Sequence, residues 1–263
     1  MIKAVFLDLD DTLLWDKKSV QVAFHKTCTL AEERLGIDAK QLESAVRAEA
    51  IKLYQSYSFY PFTKKIGINP FEGLWGTFED QKDEFITMNK IIPQYQQDAW
   101  INGLRALGID NPYFGKELAK TFPKMRKASP FLYEDSLDVL DKLQADYRLL
   151  LVTNGSPQLQ KTKLTITPEL APYFEHILIS GDFGIGKPDP SIFKHALELV
   201  SLSPDEVIMV GDNLLTDILG ASKSQIKSVW INREENELHT VAPTYQIHSL
   251  SELPELLNNI NSN

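Results

Sequence analysis

The clearest pattern along the chain is a set of five short apolar runs, separated by stretches in which apolar residues recur at helical spacing. Each run is continuous rather than alternating, which is typical of strands covered on both faces in a parallel sheet. The runs are 5–7, 149–152, 177–179, 207–210 and 229–231. Helical spacing precedes the second run at Leu137, Leu140 and Leu143. Alternating strands and helices predict an α/β fold with a doubly wound, mainly parallel, Rossmann-like sheet.

The segment between the first and second runs holds no strand pattern and is far longer than an ordinary connection from strand to helix. Ser19 is expected to cap one helix that stops at Gly36. Asp38, with Gln41 three residues later, resembles a capping box that opens another helix. We therefore predict a second, smaller, all-helical domain inserted into the α/β domain. The predicted bounds are 1–15 with 130–263 for the α/β core and 16–129 for the insert.

Composition and charge argue against nucleic-acid-binding, membrane, secreted and disulfide-rich proteins. The 263 residues carry a net charge of -9, which argues against nucleic-acid or anionic-membrane partners, since both need basic patches. No apolar run approaches the ~20 residues of a membrane-spanning helix. Acidic residues follow the first apolar run at once, unlike a signal peptide. A single cysteine, Cys28, excludes an internal disulfide framework. We expect a cytoplasmic protein.

Polar residues cluster where the predicted strands end. In open α/β sheets, ligands bind outside the carboxyl ends of the strands, so these positions carry the most information about function. The residues concerned are Asp8, Asp10, Thr153, Asn154, Lys187, Asp212 and Asp217. Together they supply carboxylates, a hydroxyl, backbone N–H groups and one cation. This combination suits a divalent metal together with a phosphate.

Asp8 and Asp10 stand two residues apart where the chain leaves the first strand, so both can enter one cleft while Leu9 points away. Two carboxylates in one site separate in pKa, so that one stays ionised and the other can hold a proton. An ionised Asp8 beside a metal is a competent nucleophile toward phosphorus. Asp10 can protonate the departing alkoxide and then deprotonate water. Alternatively, Asp8 opens a turn and Asp10 caps a helix.

The remaining residues suit a metal and a phosphate. Asp212 and Asp217 offer the hard oxygen ligands that Mg²⁺ prefers, although an acidic residue at 217 also suits the first turn of a helix. Thr153 and Asn154 precede a glycine and could cradle a phosphate, or simply form a polar turn. Lys187 lies in a glycine-rich loop and could neutralise phosphate oxygens, or be a solvated surface lysine.

These segments resemble the four motifs of the haloacid dehalogenase (HAD) superfamily, in its phosphatase branch. The matching stretches are Asp8-x-Asp10-x-Thr12, Thr153-Asn154-Gly155, Gly186-Lys187-Pro188-Asp189-Pro190 and Gly211-Asp212-x4-Asp217. The resemblance implies that the first strand lies centrally, flanked by the second and fourth. It also implies that 16–129 is a helical cap of the C1 type. We interpret the aromatic residues between 54 and 75 as the core of that insert rather than as the lining of a lid.

The resemblance also implies a role for each matching residue. Asp8 would be the nucleophile and Asp10 the general acid and base, while Thr153 would hold the phosphate and Lys187 the phosphoaspartate. The Mg²⁺ site would comprise Asp8, Asp212, Asp217 and the backbone carbonyl of Asp10. True dehalogenases lack an acid at the position of Asp10, because halide leaves without a proton. Asp10 therefore favours a phosphatase.

We expect a Mg²⁺-dependent enzyme that hydrolyses a small phosphorylated metabolite through an aspartyl-phosphate. Phosphoserine, nucleoside monophosphates and sugar phosphates are the substrate classes that the resemblance suggests. Two alternatives remain open. One is a phosphomutase, which would pass the phosphate to a second hydroxyl. The other is a phospho-aspartate regulator that does not turn over, although a large insert and Asp10 argue against it.

Overall fold

A computed structural model describes residues 1–237 and 241–262 of the chain. The chain divides into two compact units, here called the sheet unit and the helical unit. The sheet unit comprises Met1–Trp15, Leu132–Gln160 and Thr167–Asn263, and the helical unit comprises Asp16–Phe131 and Lys161–Ile166. No helix among the described residues combines the length and the apolar composition needed to cross a bilayer.

The sheet unit contains a six-stranded parallel sheet. Its strands are β1 (Ala4–Leu7), β2 (Arg148–Thr153), β3 (His176–Ile179), β4 (Val207–Gly211), β5 (Lys227–Ile231) and β6 (Tyr245–Ile247). Their order is β3-β2-β1-β4-β5-β6, so β1 lies between β2 and β4. This confirms the predicted α/β class and the central position of the first strand. The sequence pattern missed β6, whose three residues include Tyr245 and Gln246, which are not buried.

The helical unit contains six complete α-helices within the described residues, together with the end of a seventh. They are α1 (Asp16–Leu35), α2 (Ala39–Ser56), α3 (Tyr60–Ile66), α4 (Pro70–Gly73), α5 (Asp83–Ala106) and α6 (Pro112–Lys127). The predicted cap of α2 is confirmed, because the Asp38 side chain accepts a hydrogen bond from the Gln41 N–H at 2.8 Å. The predicted end of α1 is also confirmed, since Gly36 follows its last residue and adopts a left-handed φ of 66°.

The predicted start of α1 is wrong by four residues, because a cap at Ser19 would begin the helix at residue 20. The helix begins at Asp16, and Ser19 lies buried inside it. The Ser19 hydroxyl oxygen does not cap the helix and instead accepts the Phe131 N–H at 3.2 Å, a contact that spans 112 residues of sequence. The Ser19 side chain therefore forms a hydrogen bond to a residue distant in sequence instead of capping the helix next to it.

Aromatic side chains fill the interior of the helical unit. Tyr54 is fully buried and meets Phe59 and Tyr95 edge-to-face at ring-centroid distances of 5.1 and 5.4 Å. Trp75 and Trp100 are also buried. Such edge-to-face pairs contribute about 0.5–1.5 kcal/mol each beyond the area they bury. Burial supports the interpretation as core for Tyr54, Phe59 and Trp75, whereas the other aromatic residues of the 54–75 stretch are half-buried.

The remaining α-helices belong to the sheet unit, except for the end of α8. They are α7 (Ser136–Leu143), α8 (Pro157–Ile166), α9 (Ser180–Phe183), α10 (Pro190–Val200), α11 (Leu219–Lys223) and α12 (Leu253–Ser262). Phe6 and Val152 pack with Phe193 and Ala196 of α10 in one apolar cluster. This cover explains why the strands carry continuous apolar runs. Helix α8 is divided between the two units after Gln160.

Candidate active site

The site lies where β1, β2 and β4 end. Because the three strands are adjacent and parallel, their carboxyl ends share one edge of the sheet. Asp8 directly follows β1, Thr153 is the last residue of β2, and Asp212 directly follows β4. The Asp8 N–H continues the ladder by donating to Val210 O at 3.0 Å. The strand order therefore brings together residues that are more than 200 positions apart.

Three carboxylates meet at this edge. Asp8, Asp212 and Asp217 each offer an oxygen atom, and these atoms all lie within 4.8 Å of one another. Asp8 is 8% exposed and Asp217 is fully buried, whereas Asp212 is half-buried. Trp230 of β5 fixes the Asp212 backbone by donating its indole N–H to Asp212 O at 2.8 Å. Clustered carboxylate oxygens of this kind are the donor set that suits Mg²⁺.

The position of Asp217 depends on Gly211 and on an unusual helical turn. A Cβ atom on Gly211 would lie 2.3 Å from Asp217 Oδ2, so only glycine allows this approach. Asn213 caps a π-helical turn, Leu214–Ile218, by accepting the Leu215 N–H at 2.9 Å. Its own N–H donates to Asp217 Oδ2 at 3.1 Å. Such turns frequently occur at functional sites.

Lys187 binds two of the three carboxylates. Its Nζ atom lies 2.7 Å from Asp8 Oδ1, 2.7 Å from Asp217 Oδ1 and 2.7 Å from the carbonyl oxygen of Val152. The side chain is 2% exposed, so the alternative of a solvated surface lysine is wrong. A buried ammonium group needs such partners, because charge without compensation is costly away from water.

Asn154 holds the loop that carries Lys187. The Asn154 side chain donates to Lys187 O at 2.9 Å and accepts the Lys187 N–H at 2.8 Å. A Cβ atom on Gly186 would lie 2.5 Å from Asn154 Oδ1, so this loop also requires a glycine. The side chain of Asn154 therefore supports the lysine loop, which the sequence did not indicate.

Burial and the charge of neighbouring groups have opposite effects on the pKa of Lys187, and both also act on the pKa of Asp8. Burial, together with the negative charge of Asp217, raises the pKa of Asp8 to about 6, although Lys187 acts to lower it. Burial alone would lower the pKa of Lys187, but the two adjacent carboxylates outweigh it and raise that pKa above its ordinary value. At neutral pH, Asp8 is therefore mostly ionised and Lys187 is charged.

The Asp10 carboxylate is not one of the three clustered carboxylates, and it is bound by a residue that sequence reasoning missed. Gln160 of α8 donates from Nε2 to Asp10 Oδ2 at 3.0 Å and to Thr153 Oγ1 at 2.6 Å. Gln160 is fully buried. A signal was present, because Gln160 stands four residues before Leu164 on the buried face of a helix, where an apolar residue is expected.

Fold and site together define a class of protein. A parallel α/β sheet carries two aspartates after its central strand, a carboxylate cluster and a buried lysine, all at the edge where open α/β sheets bind ligands. Comparison with known proteins agrees. A family model described as haloacid dehalogenase-like hydrolase matches residues 2–224.

Individual relatives give the same result. A phosphoserine phosphatase from Thermus thermophilus is 32% identical over 232 residues, covering 88% of this chain and 89% of the relative. An N-acylneuraminate-9-phosphatase from Mus musculus is 30% identical over 264 residues, covering 98% and 95%. The crystal structure of the HAD-hydrolase YfnB from Bacillus subtilis, bound to magnesium, matches this chain with a TM-score of 0.66 at 22% identity. The match covers 98% of this chain and 99% of that chain, and it shows that the two share a fold.

The chain belongs to the haloacid dehalogenase-like hydrolase family, on its phosphatase branch. It is an enzyme of the phosphoric monoester hydrolase class.

Proposed function

We propose that this enzyme hydrolyses a small-molecule phosphomonoester in a Mg²⁺-dependent reaction, through an aspartyl-phosphate intermediate on Asp8. The observation that carries the proposal is the buried Asp8 carboxylate, which lies 2.7 Å from the Lys187 ammonium and within 4.8 Å of oxygen atoms of Asp212 and Asp217. A nucleophile, a cation and a set of metal ligands thus surround one point at the strand ends.

The donor set fits magnesium. Asp8, Asp212 and Asp217 would hold the ion, with the backbone carbonyl of Asp10 as a further ligand. Carboxylate and carbonyl oxygens are hard ligands, and Mg²⁺ ordinarily takes one or two carboxylates together with water and a phosphate oxygen. When bound, Mg²⁺ offsets the negative charge that would otherwise keep an anionic carboxylate away from an anionic phosphate.

In the first half-reaction, a carboxylate oxygen of Asp8 attacks phosphorus and the bond to the alcohol oxygen breaks. Asp10 gives its proton to the departing alkoxide, so the alcohol leaves neutral. Lys187 and the Thr153 hydroxyl donate hydrogen bonds to the phosphoryl oxygens, where charge is spread in the transition state. The Asn154 side chain holds the Lys187 backbone, so its contribution to binding phosphate comes through its own main chain.

In the second half-reaction, water replaces the alcohol. Asp10, now ionised, takes a proton from the water as its oxygen attacks phosphorus. The bond between phosphorus and the Asp8 oxygen breaks, which releases inorganic phosphate and restores the Asp8 carboxylate. The proton that Asp10 gave to the alcohol is thereby recovered, and the enzyme is ready for another cycle.

We assign substrate selection to the helical unit, the cap expected at 16–129. The substrate is a small phosphorylated metabolite of the phosphoserine, nucleoside monophosphate or sugar phosphate class. Two relatives are named for phosphoserine and for an N-acylneuraminate 9-phosphate, and both names describe small phosphorylated molecules. We propose no nucleic-acid or membrane partner and a cytoplasmic location, in keeping with the net charge of -9 and the single cysteine.

The proposal is tested by measuring phosphate release from a panel of phosphorylated metabolites, with and without Mg²⁺. Asp8→Asn should abolish turnover, because an amide is a far weaker nucleophile than a carboxylate. Asp10→Asn should slow it by about 10²–10⁴-fold, the usual contribution of a general acid. Asp146→Asn changes an exposed aspartate and should leave turnover unchanged. Full turnover without metal, or wild-type rates in Asp8→Asn, would refute the proposal.

A further inference from the structure

Gln160 contacts two proposed site residues although none of the recognised motifs contains it. Its Nε2 atom lies 3.0 Å from Asp10 Oδ2 and 2.6 Å from Thr153 Oγ1. We propose that Gln160 is a positioning residue that orients the acid–base group and the phosphate-binding hydroxyl at once. The inference rests on the proposed function, because it assigns the roles of Asp10 and Thr153 from it.

The Gln160 amide acts as a hydrogen-bond donor to both Asp10 and Thr153. The Nε2 atom of glutamine carries two hydrogens and no acceptor capacity. One hydrogen is directed to Asp10 and the other to Thr153, so both are used. Because the Thr153 oxygen accepts this bond, its own hydroxyl hydrogen must point elsewhere. Within the part of the chain that the structure describes, the Thr153 hydroxyl donates only over a long distance, 3.4 Å to Asn154 O, and its hydrogen is therefore available for a phosphoryl oxygen.

The orientation of the amide is determined by charge. Turning the group over would place Oε1 against Asp10 Oδ2, and these two acceptors repel each other whenever Asp10 is ionised, as it is in the second half-reaction. In the observed orientation, the buried Oε1 atom has no hydrogen-bond partner among residues 1–237 and 241–262. Leaving a buried acceptor unsatisfied costs about 1–3 kcal/mol. A buried polar atom without a hydrogen-bond partner is unusual in a folded protein, and such an atom often belongs to a functional site.

Packing locks the side chain in place. Gln160 is fully buried, and its Cγ and Cδ atoms would lie 3.0 Å from a Cβ atom on Gly155. Gly155 has a φ of 142°, which side chains rarely adopt. The glycine after Thr153-Asn154 therefore both permits the turn and leaves room for the glutamine. The result is a rigid support behind Asp10 and Thr153.

The two contacts predict different kinetic effects. A weakly acidic alcohol needs a proton to leave, whereas an acidic phenol such as p-nitrophenol leaves without one. Loss of the Asp10 contact should therefore slow only esters of poor leaving groups. Loss of the Thr153 contact should slow both kinds of ester alike. Displacement of a catalytic group by about 1 Å can cost about 10²-fold in rate.

The test compares kcat/KM for benzyl phosphate and p-nitrophenyl phosphate in the Mg²⁺-loaded enzyme. Gln160→Met keeps the length of the side chain but removes the amide, and Gln160→Glu keeps the shape but removes both hydrogens. We expect each to lower the benzyl-to-p-nitrophenyl ratio at least tenfold, through kcat rather than KM. Gln144→Met changes an exposed glutamine in the sheet unit and should leave the ratio unchanged.

Equal losses on both esters, or no loss on either, would overturn the inference. Circular dichroism establishes that each variant is folded, and Gln160→Glu serves if Gln160→Met does not fold. Asp10→Asn distinguishes the two proposals. If Asp10→Asn lowers the ratio while the Gln160 variants do not, the inference fails and the proposed function stands. If neither wild type nor variant shows Mg²⁺-dependent turnover, the proposed function itself fails.

Discussion

Replacing Lys187 by methionine removes the one ammonium group that the structure shows between Asp8 and Asp217. Methionine has nearly the same length, so packing is largely preserved while charge is lost. The wild-type Nζ lies 2.7 Å from each carboxylate, and both carboxylates are almost completely buried. Removing one partner of a buried ion pair typically destabilises a protein by about 3–5 kcal/mol, because the remaining charge is uncompensated. We expect Lys187→Met to lose this amount at pH 7 without Mg²⁺.

The loss should depend on pH in a direction set by Asp8. Without the ammonium, the pKa of Asp8 rises further above about 6, so the folded variant holds a proton that folded wild type has lost. Between pH 6 and 7 the variant therefore binds more protons when folded than when unfolded, and its stability falls as pH rises. The deficit should be smaller at pH 6 than at pH 7, by about 1 kcal/mol.

Urea unfolding followed by circular dichroism, at both pH values and without metal, measures these differences. Lys142→Met removes an exposed lysine from the same unit and should change the free energy of unfolding by no more than about 0.5 kcal/mol. If Lys187→Met behaves like this control, the lysine does not compensate the buried carboxylates. A deficit that grows as pH is lowered would equally contradict the assigned cause.

Two further results are expected at the same site. Mg²⁺ affinity, measured by calorimetry, should be constant above pH 7 and should weaken by up to about tenfold per pH unit below pH 6. The reason is that Asp8 must lose its proton before the ion binds. Asp8→Asn should flatten this pH dependence, and an unchanged slope in that variant would contradict the expectation. Gly211→Ala places a Cβ atom 2.3 Å from Asp217 Oδ2, so it should cost about 1–3 kcal/mol of stability and weaken Mg²⁺ binding. Ala196→Gly changes a buried residue of helix α10, not of the segment that carries Asp217, and should lower stability but leave Mg²⁺ affinity unchanged. Equal affinity in Gly211→Ala would show that Asp217 is not constrained by this contact.

The sheet and the main site residues could be predicted because both depend on local sequence. Strands covered on both faces carry apolar side chains in succession, so β1 to β5 each contain an uninterrupted apolar run. Functional groups of such sheets lie just beyond the runs, which directs attention to residues such as Asp8 and Asp212. The sequence pattern did not predict strand β6, because this strand lies at the edge of the sheet and only its residue Ile247 is buried.

What the sequence did not indicate depends on contacts between distant residues. Ser19 has the chemistry of a helix cap, but its hydroxyl oxygen accepts the N–H of Phe131, which lies 112 residues away in sequence. The motif assigned Lys187 to the site, but its position between two buried carboxylates became apparent only from the fold. Gln160 has no chemistry of its own to mark it, and its importance comes only from the two side chains that it binds.

The claim on which the others depend is that Asp8 receives the phosphoryl group. Its most direct test is to mix the Mg²⁺-loaded enzyme with a ³²P-labelled phosphomonoester that it turns over, to quench in acid within milliseconds, and to map the label by peptide mass spectrometry. We predict an acid-stable, base-labile acyl phosphate on the peptide that contains residue 8, absent from Asp8→Asn. Turnover with no label on that peptide, or label on another residue, would contradict the account.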